Sequence, residues 1–309
     1  RLLMFSVIIP LYNKEKSVSS TLQSVLNQTF KKFEVIVVDD GSTDGSYDVV
    51  KQFKDERIRL IQKENGGVSS ARNRGIQETK YDHVAFLDAD DVWEPNYLEV
   101  QHGLIKEFPK AKMWGCNYAH INGNEKELLY TGLPLDFKGY VLNYFTMSRT
   151  SDLFCSSSVV IKKDAFEVAG IFDERIRYSE DLDMWYRIIA NFPVVFCATV
   201  LIHYRHDAEN RAMLKPKPYN QTLFNYVDKY ECLYVEHPDF QIYIALVVVA
   251  HSLPYYFGKN KEEYILAKRA VGLIDLKKVP LKYRLIYKSP FYCGYCIYIL
   301  MLIYKKIRR

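Results

Sequence analysis

The sequence predicts an α/β fold: a mixed, mostly parallel sheet built from residues 1–214, followed by a mainly helical appendage over residues 215–309. Three observations carry that reading. Short runs rich in Val and Ile recur early in the chain, separated by helix-length segments. Two of those runs end in clustered aspartates. Strand-like runs then become scarce after residue 218, where helical spacing takes over.

Taken in order, residues 5–9 (FSVII) form a first buried strand that stops at Pro10. Val18, Leu22, Val25 and Leu26 recur at helical spacing. Residues 34–38 (EVIVV) form a second strand, ending in Asp39, Asp40 and Gly41. A short helix from Ser46 precedes a strand at 58–61, and Gly66 and Gly67 introduce a helix over 68–78. Residues 83–87 (HVAFL) form a strand running into Asp88, Asp90 and Asp91. Such alternation implies right-handed βαβ units, whose ligands sit beyond the carboxyl ends of the strands. Both acidic clusters fall at those ends. Further strands are expected at 112–119, 156–161 and 194–200, with a helix at 181–191. The Lys-Pro-Lys-Pro segment at 215–218 marks the boundary. Beyond it, helices are expected at 219–235, 242–251, 261–276 and 283–304.

Composition narrows the class. A 49% hydrophobic and 26% charged chain of 309 residues is not wholly disordered. The net charge of +5 is concentrated between Lys277 and Arg309, which suits an anionic membrane surface and gives no sign of a nucleic-acid partner. Six scattered cysteines, with no secretory signal before the first strand, lead us to expect a reducing cytoplasm. Cys293 and Cys296 form a lone CxxC in an apolar run and are read as small apolar residues. The run at 289–304 is short of the roughly twenty residues a span needs. It is either a helix lying in the cytoplasmic leaflet or a buried core helix. The many tyrosines after residue 218 fit an interfacial belt and a buried set with satisfied hydroxyls equally well.

Four motifs carry chemistry. In FLDADD (86–91), two carboxylates one residue apart at a strand end can serve a hard divalent ion, Mn²⁺ or Mg²⁺. Asp90 is the expected ligand, Asp88 faces a ribose or a metal-bound water, and Asp91 can share either role. A lone DxD is as readily a solvated turn. In VDDGSTD (38–44), turn chemistry explains Gly41 to Asp44 but not two carboxylates at the strand end. One of those carboxylates can accept a hydrogen bond from a base N–H. In SSARNRG (69–75), Arg72 and Arg74 face different sides of a helix, one toward the acidic site or a diphosphate and the other exposed. In SEDLDMW (179–185), Asp181 near a helix N-terminus suits either a general base or a cap.

The segments FSVIIPLYNKEKSVSSTLQSVLNQTFKKFEVIVVDDGSTDGS, NGGVSSARNRGI, FLDADDVW and SEDLDMWYR together resemble the family 2 glycosyltransferases with a GT-A fold, across residues 4–206. The resemblance implies a nucleotide-diphosphate sugar donor, a divalent metal and, usually, inversion at the anomeric carbon. It also implies that Pro10, Tyr12 and Asp40 frame the base, that Arg72 lies near the phosphates, and that Asp88 and Asp90 form the DxD. Asp181 of the Glu180–Asp181 pair becomes the catalytic base. Relatives place a histidine shortly after a Tyr-Arg dipeptide, within reach of the metal. Here His206 directly follows Arg205, and His203 precedes Tyr204; His206 is preferred. Trp185 shapes a sugar pocket or packs in the core.

The expected function is transfer of a sugar, from UDP-sugar in preference to GDP- or dTDP-sugar, onto a glycan or lipid-linked saccharide at the cytoplasmic face of the inner membrane. The alternative from another class is a non-catalytic nucleotide- or glycan-binding partner, which would need no base at Asp181. A nucleotidyltransferase would want a glycine-rich basic loop after the first strand, and residues 10–14 (PLYNK) do not supply one.

Overall fold

The first apolar run becomes β1 (Phe5–Leu11), buried along its whole length because both of its faces are covered. Alternate side chains Phe5, Val7, Ile9 and Leu11 enter the main core, while Ile8 points at the opposite helix layer. A computed structural model of the chain describes residues 3–147, 152–211 and 217–307, the last four as backbone only. The chain divides into two compact units, 1–215 and 216–309. The expected boundary falls among residues 212–216, which lie outside the described set.

In the first unit the expected strands and helices occur in order, together with elements that the sequence reading did not include. They are α1 (Val18–Leu26), β2 (Phe33–Asp39), α2 (Ser46–Lys51), β3 (Ile58–Gln62), α3 (Val68–Glu78), β4 (His83–Phe86), β5 (Val92–Trp93) and α4 (Tyr97–Glu107). Then come β6 (Met113–Asn122), β7 (Glu125–Leu128), β8 (Lys138–Tyr140), α5 (Tyr144–Met147), β9 (Val159–Lys162), α6 (Ala165–Ala169), α7 (Glu180–Asn191) and β10 (Val194–Arg205). Residues 156–158, expected to open a strand, instead form a 3₁₀ turn in which the Ser158 hydroxyl donates to the Cys155 carbonyl.

One mixed sheet runs β3-β2-β1-β4-β9-β6-β10-β5, with β7 on β6 and β8 on β10. Its long ladders, β3 to β2 to β1 to β4 and β6 to β10, are parallel. Because β2, β1 and β4 are parallel neighbours, the loops after all three open on one edge. β9 runs antiparallel to β4, so the turn that leads into it, with Ser157, lies beside the end of β4. β6 and β10 run parallel to β4 through that antiparallel link and bring Tyr118 and Tyr204 to the same edge.

Two details fix this edge. Pro10 pairs with Val38, and its nitrogen faces the β4 side, where the ladder has already ended at the Ile8–Phe86 pair. The missing N–H therefore breaks no sheet hydrogen bond. On the other layer, a Cβ on Gly75 would stand 2.4 Å from Ile8 Cγ2, so a glycine lets α3 lie close on β1.

The second unit is helical: α8 (Pro238–Tyr256), α9 (Lys261–Gly272), α10 (Leu281–Lys288) and α11 (Phe291–Ile307). The helix expected over 219–235 is instead 3₁₀ in character, broken at Tyr226 with φ −121° and ψ 26°. The single helix expected over 283–304 is two, because Pro290 forces Ser289 into an extended conformation (φ −76°, ψ 158°). Tyrosines follow both patterns. Tyr219 and Tyr287 are buried or half-buried, with hydroxyls bonded to Ser252 Oγ and the Val249 carbonyl, whereas Tyr292 is 82% exposed. Among the described residues no helix is long and apolar enough to cross a membrane.

Candidate active site

The loops after β1 and β2 are stitched together by polar bonds that glycine and short polar residues make possible. Asn13 adopts a left-handed backbone (φ 52°); its N–H donates to Ser42 Oγ and its Oδ1 accepts from the Thr43 N–H. The Lys14 N–H donates to Ser46 Oγ, the Glu15 N–H to Asp44, and the Gly45 N–H back to Glu15. Tyr12 projects from this edge, 36% exposed. Asp40 is buried and already occupied: its carboxylate accepts from the N–H groups of Gly66 (2.9 Å) and Gly67 (2.7 Å) and from Lys63 Nζ (2.7 Å). It thereby holds the turn that leads, through Gly67 at φ 92°, into α3.

Arg72, on α3, is the hub of the acidic site. It is 2% exposed; Nη1 donates to Glu180 Oε1 and Nη2 to Asp88 Oδ1, both at 2.7 Å. Burial opposes its charge, but Asp88, Glu180 and Asp181 outweigh burial and raise its pKa. The fork expected near a diphosphate thus already joins two carboxylates. Arg74 turns outward to Glu78, as the helical spacing implied.

The three aspartates of FLDADD part company. Asp88 is 29% exposed and bonded to Arg72 through one oxygen only. Asp90 is 17% exposed and receives Lys14 Nζ on Oδ2 at 2.6 Å. Asp91, expected to share a ligand role, is buried and structural: it accepts the Ser157 hydroxyl (2.6 Å) and the Arg205 N–H (3.1 Å). Ser157 Oγ also accepts the Asp88 N–H, so one hydroxyl pins both ends of the turn. Burial, then Asp90 and Asp88, push the Asp91 carboxyl well up.

At the start of α7, Ser179 sits at φ 64° and ψ 29°, and swings Glu180 and Asp181 toward the edge. Burial raises the Glu180 carboxyl to about 7 against the opposing pull of Arg72. Burial likewise raises Asp181, with Arg72 again opposing. Asp181 forms no ion pair among the described residues; it accepts from the Leu182 N–H and, at 3.4 Å, from the Ser156 hydroxyl. A desolvated carboxylate without a counter-ion of its own can take a proton from an attacking hydroxyl. Trp185 is fully buried against Phe86 and Phe172, which assigns it to the core.

His206 stands apart from this cluster. Its Nε2 lies 2.7 Å from Nδ1 of His120, and the charges acting on it are Arg211, His120, Glu127 and Asp207. His203 pairs with Glu94. Neither meets Asp88 or Asp90, and among the described residues no three His, Cys, Asp or Glu side chains form a metal cluster. Sequence reading also missed Lys14, Ser157 and Glu209. Glu209 accepts from the N–H groups of Lys16 and Ser17 and from the Ser17 hydroxyl, and its carbonyl accepts Lys14 Nζ. None of the three has a local signal, since their side-chain partners named here lie 66 to 195 residues away.

The same chain segments recur in known proteins. The family described as Glycosyl transferase family 2 matches residues 6–169. An uncharacterized glycosyltransferase of Rickettsia typhi is 30% identical over 233 residues, which are 75% of this chain and 70% of that protein. The UDP-Glc:alpha-D-GlcNAc-diphosphoundecaprenol beta-1,3-glucosyltransferase WfgD of Escherichia coli is 27% identical over 83% of this chain and 98% of its own length. In fold, the chain is similar to Staphylococcus aureus TarS (residues 1–349) crystallised with UDP-GlcNAc. The TM-score is 0.72, covering 91% of this chain and 83% of that one at 20% identity. A parallel β2-β1-β4 edge carrying the Arg72-linked carboxylates, matched over more than half of the chain, makes this protein a member of glycosyl transferase family 2, with a GT-A fold.

Proposed function

We propose that the chain is an inverting, metal-dependent glycosyltransferase that moves a sugar from a UDP-sugar to a lipid-linked saccharide. The observation that carries this reading is Asp181: a desolvated carboxylate without an ion pair among the described residues, beside the Arg72-bound Glu180 and Asp88. Asp181 takes the proton of the acceptor hydroxyl as that oxygen attacks the anomeric carbon from the face opposite the leaving diphosphate. Arg72 keeps Asp88 and Glu180 in place through its fork. Pro10, Tyr12 and Asp40 lie at the adjoining strand ends, where the base would rest. The UDP donor and lipid-linked acceptor are supported by WfgD, whose name states both.

Asp88 and Asp90 fit a hard divalent ion. Arg72 and Lys14 each engage one oxygen, leaving the second oxygen of each without a side-chain donor among the described residues. Two carboxylates are what Mg²⁺ or Mn²⁺ takes from protein when phosphates supply the remaining ligands. Bound there, the ion would neutralise the departing diphosphate. His206 would join it only after leaving His120.

Membrane-surface attachment belongs to the same proposal. Phe291, Tyr292, Tyr295, Leu300, Leu302 and Ile303 of α11 are exposed, and the sequence around them is basic. Isothermal titration of UDP, GDP and dTDP, each with and without Mn²⁺, tests the donor reading. UDP binding that requires Mn²⁺ is expected; no metal-dependent binding of any of the three would sink it and leave a non-catalytic role in front.

A further inference from the structure

Lys14 has no assigned role, yet it is among the least exposed lysines in the chain and sits on the acidic site. Its ammonium donates to Asp90 Oδ2 at 2.6 Å and to the Glu209 carbonyl at 2.5 Å, with the side chain only 11% exposed. Its backbone is fixed independently, through the N–H bond to Ser46 Oγ. The ammonium is therefore delivered to Asp90 by the β1 loop and is not a drifting surface charge. Asp90 is mostly buried and lies close to Asp88, so two negative charges face one another and Lys14 is the cation that offsets the second. Arg72 plays that part for Asp88.

We infer that Lys14 is a tethered counter-ion that competes with the divalent metal for Asp90 and so sets how tightly the site takes its ion. This rests on the metal role proposed for Asp90. One oxygen of the carboxylate that would receive the ion already holds a full positive charge at contact distance. An ion settling on Asp90 must displace that charge or bind beside it, and like charges at such range repel strongly in a partly buried site. Lysine suits a displaceable partner: a compact charge on a flexible stem, without the two-point grip of arginine. The Glu209 carbonyl gives the ammonium a place to stay when it leaves Asp90.

Mn²⁺ binding to the full chain without nucleotide, followed by loss of the free-ion electron paramagnetic resonance signal, tests this. Lys14→Met and Lys14→Gln are expected to bind Mn²⁺ at least about fivefold more tightly than the unaltered chain. Lys14→Arg, which keeps the charge and adds a two-point grip, should bind Mn²⁺ no more tightly than the unaltered chain, and adding Asp90→Asn to Lys14→Met should remove the gain. Neutral variants that keep the native circular dichroism spectrum but bind Mn²⁺ no more tightly, or bind it less tightly, overturn the inference. So does a gain that survives the loss of Asp90. Because nucleotide is absent, failure here is separable from failure of the UDP titration.

Discussion

At the scale of single residues, the site is organised by where its charges are allowed to end. Arg72 is nearly inaccessible and serves Asp88 and Glu180 together, so removing it strands two carboxylates in a poorly solvated place. Arg72→Ala is expected to cost about 3 kcal/mol in urea unfolding, and Arg72→Lys to recover only part, since one ammonium cannot bridge both. Glu180 carries a measurable consequence of burial. Its pKa rises from 4.5 to about 7 on folding, so between those values the folded chain holds a proton that the unfolded chain has released. Stability therefore falls as pH rises through that window. In Glu180→Gln that decline should be smaller when urea midpoints are compared from about pH 5 to 8, because the raised Asp91 and Asp181 carboxyls remain. Asp181 differs in kind, because it is proposed to act on substrate. Asp181→Asn is expected to lower turnover by about 100- to 10,000-fold while UDP affinity stays within about threefold. Full activity in that variant would remove Asp181 from the mechanism.

At the scale of elements, the approach of α3 to β1 is what lets Arg72 reach the strand ends. Gly75→Ala would push a methyl into Ile8 and is expected to cost about 1–3 kcal/mol in thermal or urea unfolding. A change within about 0.5 kcal/mol would show that the contact relaxes freely. The early elements were legible because their signals are local: α3 spans 68–78 as its glycine pair and periodicity imply, and β2 and β4 end at or just before the aspartates, although β1 runs past Pro10 to Leu11. The split between α10 and α11 was legible too, in Pro290, but the apolar pattern on both sides masked it. The partners of Asp90 and Asp91 were not legible. Lys14 and Ser157 reach them from 76 and 66 residues away, and only the sheet order says that those loops share an edge. His206 illustrates the same limit: its position after Arg205 suggested an ion, but β6 brings His120 to it first.

At the scale of the whole molecule, the proposed membrane contact rests on the helical unit, where the exposed apolar side chains of α11 stand in a basic stretch of sequence. The full chain is expected to sediment with vesicles rich in phosphatidylserine, to be released by about 0.5 M salt, and to bind pure phosphatidylcholine poorly. A chain ending at Lys215 should stay in the supernatant with both. Retention of that shorter chain on anionic vesicles would place the membrane contact elsewhere. Within the first unit, Glu209 and Asn210 close on residues 12–17, the loop after β1. That closure bears on the order of assembly. On the ribosome, this loop waits for almost two hundred more residues before Glu209 arrives to seal it. The side of the site proposed to hold the nucleotide is thus made from segments almost two hundred residues apart, and a chain stopped before Glu209 cannot complete it.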